Sequence, residues 1–185
     1  TLKARISGSG DTLAIDYQFT NGGAGPVLVT NKIWRMVEGK AKIDPDFVYA
    51  HVNSDGLLAI YKTMPNIPEG KSPTNLVAPY MTKVESGDRL SESITLQLPL
   101  LPYQEYFNNE PAEDSDGNKL VQTVKEVAFG LAFFVPPEGS KIWNEKAFGE
   151  NVDLFHNPPG KRAQYGVLWS ERFKVSVPVY RRKEA

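Results

Sequence analysis

The sequence predicts an all-β fold, an antiparallel sandwich of about eight to nine strands with long loops. Three observations carry this. Apolar residues recur with period two along many short runs. Gly, Pro, Asn and Asp bound those runs, which is turn chemistry. The 3.6-residue spacing of a helix is absent apart from one short candidate near Ile142 to Phe148. Strands of unequal length and several long links favour a sandwich over a closed up-and-down barrel.

Leu13, Ile15, Tyr17 and Phe19 alternate with Thr12, Asp16, Gln18 and Thr20, the pattern of a half-buried strand. Ser7-Gly8-Ser9-Gly10 precedes it as a turn between two strands, and Asn21 to Pro26 stops it. A strand is expected from Val27 to Trp34 and another from Phe47 to Val52. Asn53-Ser54-Asp55-Gly56 reads as a tight hairpin, because Asp-Gly accepts positive φ, and Leu57 to Lys62 returns. Met64 to Pro73 is a crossing loop, since its prolines cannot donate to a ladder. Tyr80 to Val84 is a short strand and Glu85 to Asp88 a turn. Leu90 to Leu98 places Ile94, Leu96 and Leu98 on one face. Asn108 to Asn118 is acidic and turn-rich, an exposed loop. Val127 to Val135 sets large residues against Ala128, Gly130 and Ala132, as expected of a strand buried on both faces. Residues 138 to 163 form an insertion with the one short helix. Tyr165 to Val179 is the last strand, with Phe173, Val175, Val177 and Val179 on one face and a bend or bulge at Gly166 or Ser170. The basic end Arg181-Arg182-Lys183 reads as a solvated terminus.

At 185 residues, one domain spanning 1–185 is expected, large enough to bury a core without a metal or disulfide. Lys plus Arg is 21 and Asp plus Glu 22, a balance that argues against a nucleic-acid partner. The absence of cysteine excludes disulfides, thiol nucleophiles and cysteine metal sites. No run approaches the ~18 apolar residues of a transmembrane helix, so no transmembrane segment is expected. The chain begins at Thr1, as after leader removal or trimming. Together with a cysteine-free β-rich composition, this leans toward a periplasmic or secreted location over the cytoplasm.

Leu13 to Asn21 resembles the early strand followed by Thr-Asn found in bacterial immunoglobulin-like domains. Trp34 falls where such sandwiches bury an aromatic. Val84 to Asp88, followed by Ile94 to Pro99, is similar to their later turn and strand. The resemblance covers about 120 residues and implies a fold, not an activity. The paired cysteines of antibody domains are missing, which excludes that subfamily.

Few motifs carry chemistry. Asp114-Ser115-Asp116-Gly117-Asn118 starts like a calcium loop, but Lys119 and Lys125 stand where an EF-hand needs its glycine and its bidentate glutamate. His51 and His156 lack a clear third ligand, so no metal site is assigned, and no cofactor is implied. No G-x-S-x-G elbow and no phosphate loop occur. Glu110, Glu113, Asp114 and Asp116 are read as a solvated acidic cluster. Aromatic rings in loops are the remaining signal. Tyr103, Tyr106 and Phe107 crowd one loop. Trp143 and Phe155, with His156, lie in the insertion. Such rings either plug the ends of a sandwich or contact a ligand. The leading expectation is a non-catalytic binding module that uses these six residues on a protein partner or a carbohydrate. A structural subunit pairing through a sheet edge is the alternative. A hydrolase using loop carboxylates and His156 is the third class.

Overall fold

The computed structural model describes residues 1–183. Its order is β1 (Leu2–Ser9), β2 (Thr12–Thr20), β3 (Val27–Lys32), β4 (Trp34–Val37), β5 (Lys40–Ile43), β6 (Tyr49–Val52), β7 (Leu57–Lys62), β8 (Tyr80–Val84), β9 (Arg89–Gln97), β10 (Val121–Val135), β11 (Lys141–Ala147), β12 (Glu150–His156), β13 (Gln164–Trp169) and β14 (Phe173–Tyr180). The fold is all-β with several sheets. Among the described residues no helix is long and apolar enough to cross a membrane.

The period-two runs become the strands that face the core. β1, β2 and β9 form a three-stranded antiparallel sheet. Its inward residues Leu13, Ile15, Tyr17, Phe19, Ile94 and Leu96 pack on Leu58, Ile60, Phe129 and Leu131 of the main sheet. Tyr17 meets Phe129 at 4.8 Å between ring centroids, and Phe19 meets Phe133 at 5.7 Å. Such offset ring pairs add to the area they bury.

The main sheet is organised by β10. Val127 pairs with Leu58 of β7 and with Phe173 of β14. Gly130 pairs with Tyr61 of β7 and Trp169 of β13, and Phe133 with Val29 of β3 and Gly166 of β13. A strand residue has one neighbour on each side, so β7 and β3 share one side of β10 and meet end to end. β14 and β13 share the other. The Thr30 hydroxyl lies at the junction of β3 and β7, within 3.1 Å of the Lys62 and Ala132 carbonyls.

Several expectations are corrected. Strands among the described residues number 14, not eight or nine, because short extended pieces pair locally. The Val27 to Trp34 run divides into β3 and β4, and Tyr165 to Val179 divides at Ser170. There the Ser170 N–H donates to the Phe129 carbonyl at 2.8 Å and its hydroxyl accepts the Phe129 N–H at 3.0 Å. Gly166 is no bulge: it lies opposite Phe133, whose ring would be 2.8 Å from an added Cβ. The sheet is not wholly antiparallel, since β7 and β10 run parallel. The helix near Ile142 to Phe148 is absent. That segment is β11 and the turn after it, and the 138–163 insertion holds an antiparallel hairpin of β11 and β12. Gly149 at φ 86 supplies the left-handed turn residue. The basic end is docked, not free. Ala112 N–H donates to the Arg181 carbonyl at 2.7 Å, Lys183 N–H to the Glu110 carbonyl at 2.9 Å, and the Lys183 ammonium lies 3.8 Å from the Glu110 carboxylate. Opposite charges thus meet where the acidic loop crosses the terminus.

Phe129 is fully buried between the sheets. Phe129→Ala is expected to lower unfolding free energy by ~3–5 kcal/mol, through lost transfer energy and a cavity. Urea unfolding followed by tryptophan fluorescence measures it.

Candidate functional site

The six sequence-selected residues fall into two groups, and no ring contact joins them among the described residues. Tyr103 is half-buried against Phe47 at 5.2 Å and Tyr49 at 6.3 Å, and its carbonyl accepts the Ala50 N–H at 2.8 Å. Its hydroxyl donates to Glu105 at 3.3 Å. Burial pushes the Glu105 carboxyl up, and the Tyr103 hydroxyl bond offsets part of that. Tyr106 adopts φ 67, and its hydroxyl reaches the crossing loop. That hydroxyl accepts the Val77 N–H at 2.6 Å and donates to the Asn75 carbonyl at 3.3 Å, while the Tyr106 carbonyl accepts from Lys71 Nζ at 2.7 Å. Phe107 lies under the Arg182 guanidinium, 5.5 Å from its centroid. These three rings fasten the 98–120 loop to its neighbours. Tyr103 also borders a cleft of about 430 Å³ with Trp34, Arg35, Met36, Phe47, Val77 and Glu105.

The second group sits on the β11–β12 hairpin. Trp143 is opposite Leu154, and Phe155 is opposite Ile142. Opposed residues share a face and successive residues alternate, so Trp143 and Phe155 lie on opposite faces. Trp143 Nε1 donates to Glu145 at 3.0 Å. Phe155 packs on Phe134 at 5.6 Å. His156 is exposed at the end of β12.

No group of three His, Cys, Asp or Glu side chains could hold a metal among the described residues. Asp114 is wrapped by its own turn, accepting the Asp116 and Asn118 N–H groups at 2.9 and 2.8 Å. The bonds from Asn118 hold its carboxyl below the usual range. His51 Nδ1 lies 3.2 Å from the Tyr61 hydroxyl, and burial lowers its pKa.

The open aromatic surface lies elsewhere. Tyr165, Val167 and Trp169 alternate along β13 and are 45%, 37% and 48% exposed. Two rows of rings converge on them. His51, Tyr61 and Trp169 form one row, with centroids 5.5 and 6.0 Å apart. Phe155, Phe134 and Tyr165 form the other, at 5.6 and 5.0 Å. A Cβ placed on Gly130 would lie 2.9 Å from three carbons of the Trp169 six-membered ring. The indole therefore lies flat over Gly130, with its other face toward solvent. Among the described strands, β13 pairs only with β10 and leaves its outer edge open. The signal for this surface was the alternation of Tyr165, Val167 and Trp169 about Gly166 and Leu168. Of the six chosen residues, Phe155 alone touches it, through Phe134.

Comparison with protein-family models, curated proteins and solved structures finds no match for this chain.

Two outcomes follow from these contacts. Tyr106→Phe should cost about 1 kcal/mol, the typical worth of one hydrogen bond, and should speed proteolysis within residues 64–79. Tyr49 carries a buried hydroxyl without a partner among the described residues, and burial pushes its pKa up. Below the unfolded pKa near 10.0 the hydroxyl is protonated in both states. Above it the unfolded chain loses the proton first, so stability falls as pH rises. Tyr49→Phe should leave neutral-pH stability unchanged or raised, and should flatten the decline above pH ~10. Urea titrations across pH read both effects.

Proposed function

We propose that the chain is a non-catalytic binding module built on an immunoglobulin-like β-sandwich, and that it binds carbohydrate on the outer face of β13 and β10. The observation that carries this reading is the Trp169 indole lying flat over Gly130 with one face open. The negative face of an aromatic ring attracts the weakly positive C–H groups of a sugar. Tyr165 stands four residues away on the same strand, roughly 13 Å at the usual rise, so the two rings would bracket more than one sugar unit. Packing on neighbouring rings holds both side chains in place, which lowers the ordering cost of binding. The loop rings at Tyr103, Tyr106 and Phe107 then serve chiefly to hold their loop in place, and Trp143 bonds within its own hairpin.

The open edge of β13 favours a second reading, an assembly subunit that adds a partner's strand beside Tyr165, Val167 and Trp169. An exposed apolar edge is a template for such pairing.

A glycan array followed by calorimetry tests the first reading. A retained polysaccharide is expected, with affinity falling at least tenfold in Trp169→Ala and Tyr165→Ala, as for anchor residues, and unchanged in Trp143→Ala. Equal binding by Trp169→Ala, or no glycan retained, would sink it. Concentration-dependent dimers lost on inserting a proline in β13 would favour the second.

A further inference from the structure

The junction of β3 and β7 encloses a polar group that neither surface reading uses. Leu58, Ile60 and Lys62 alternate on the inward face of β7, and Lys62 is fully buried. Its Nζ donates to the Asn31 carbonyl at 3.1 Å and the Pro45 carbonyl at 2.6 Å, and it makes no ion pair among the described residues. Asn31 is 2% exposed. Its Nδ2 donates to Glu92 Oε1 at 2.7 Å, and its buried Oδ1 has no donor among the described residues. Glu92 comes from β9 of the facing sheet, and its other oxygen accepts the Tyr17 hydroxyl. Asn31 therefore stands between the amine and the carboxylate. Its main-chain oxygen touches Nζ, and its side-chain nitrogen touches Glu92. Only Cα and Cβ separate that main-chain carbonyl from Cγ.

An ammonium held solely by carbonyls is poorly placed, and burial drives Lys62 toward the neutral amine. A neutral amine is the nucleophilic form. The Glu92 carboxylate at Nδ2 stands where a proton must arrive for the amide nitrogen to leave. We propose that Lys62 and Asn31 join in an intramolecular isopeptide bond, with Glu92 carrying the proton. Lys62 Nζ attacks Asn31 Cγ and the Nζ–Cγ bond forms. Glu92 takes a proton from the attacking nitrogen and delivers it to Nδ2. The Cγ–Nδ2 bond breaks and ammonia leaves, with no change of oxidation state. The product replaces a buried amine with a secondary amide. It also ties together two strands that share one side of β10 without a ladder between them.

The intact mass of the purified chain decides this. The expected value is about 17 Da below the sequence mass, one ammonia. Trypsin does not cut after an acylated lysine, so a branched peptide should unite Ile6–Lys32 with Ile43–Lys71. Lys62→Met and Glu92→Gln should each show their full mass. A wild-type chain at full mass, releasing a linear peptide that ends at Lys62, would overturn the proposal. So would a loss confined to Ile6–Lys32, which is the mark of a succinimide at Asn31. Both readouts on the wild-type chain stand whether or not either variant folds.

Discussion

A strand of 15 residues that pairs along both sides and packs on both faces constrains everything placed around it. β10 meets this demand by dividing its faces. Val127, Phe129 and Leu131 turn toward the three-stranded sheet, while Ala128, Gly130 and Ala132 turn outward. The small outward residues give depth for rings from neighbouring strands. Tyr61 and Trp169, register partners of Gly130, fill that space. The open face of Trp169 is thus a consequence of a missing Cβ on the adjacent strand.

The length of β10 has a second consequence. No neighbour spans it, so each side is shared by two shorter strands. Where β14 gives way to β13, Ser170 bonds the Phe129 backbone and keeps its polar groups satisfied. Where β7 meets β3, the Thr30 hydroxyl reaches the Lys62 and Ala132 carbonyls. Backbone groups at such a break must find partners, because an unpaired buried group costs about as much as a lost hydrogen bond. The same break places Lys62 and Asn31 at the inner end of the sandwich, facing Glu92 and Tyr17.

Much of the strand content was legible. β2 and β9 alternate cleanly because one face is buried and the other more exposed, β7 reads as a near-continuous apolar run because both of its faces are buried, and the turn at Asn53 to Gly56 carries its own Asp-Gly signal. The β11–β12 hairpin was not legible. Its residues are mostly half-exposed or exposed, so no clear alternation marks it as strand. The candidate surface was legible only in part. Tyr103, Tyr106 and Phe107 are crowded in sequence, yet proximity in sequence says nothing of exposure, and each is engaged by Tyr49, Val77 or Arg182. Tyr165 and Trp169 are spread along a strand, so no local crowding of rings marks them in the sequence.

The amino-acid sequence alone determined the all-β character, the places where the chain must turn, and which strand would be buried on both faces. These follow from local rules: side-chain alternation, proline's missing donor and the freedom of glycine. Only the tertiary structure decided that β7 runs parallel to β10, that the acidic loop clasps the basic end, and which aromatic rings keep an open face. Exposure depends on which distant strand arrives alongside, as Gly130 and Trp169 show, and period and composition carry no record of that partner.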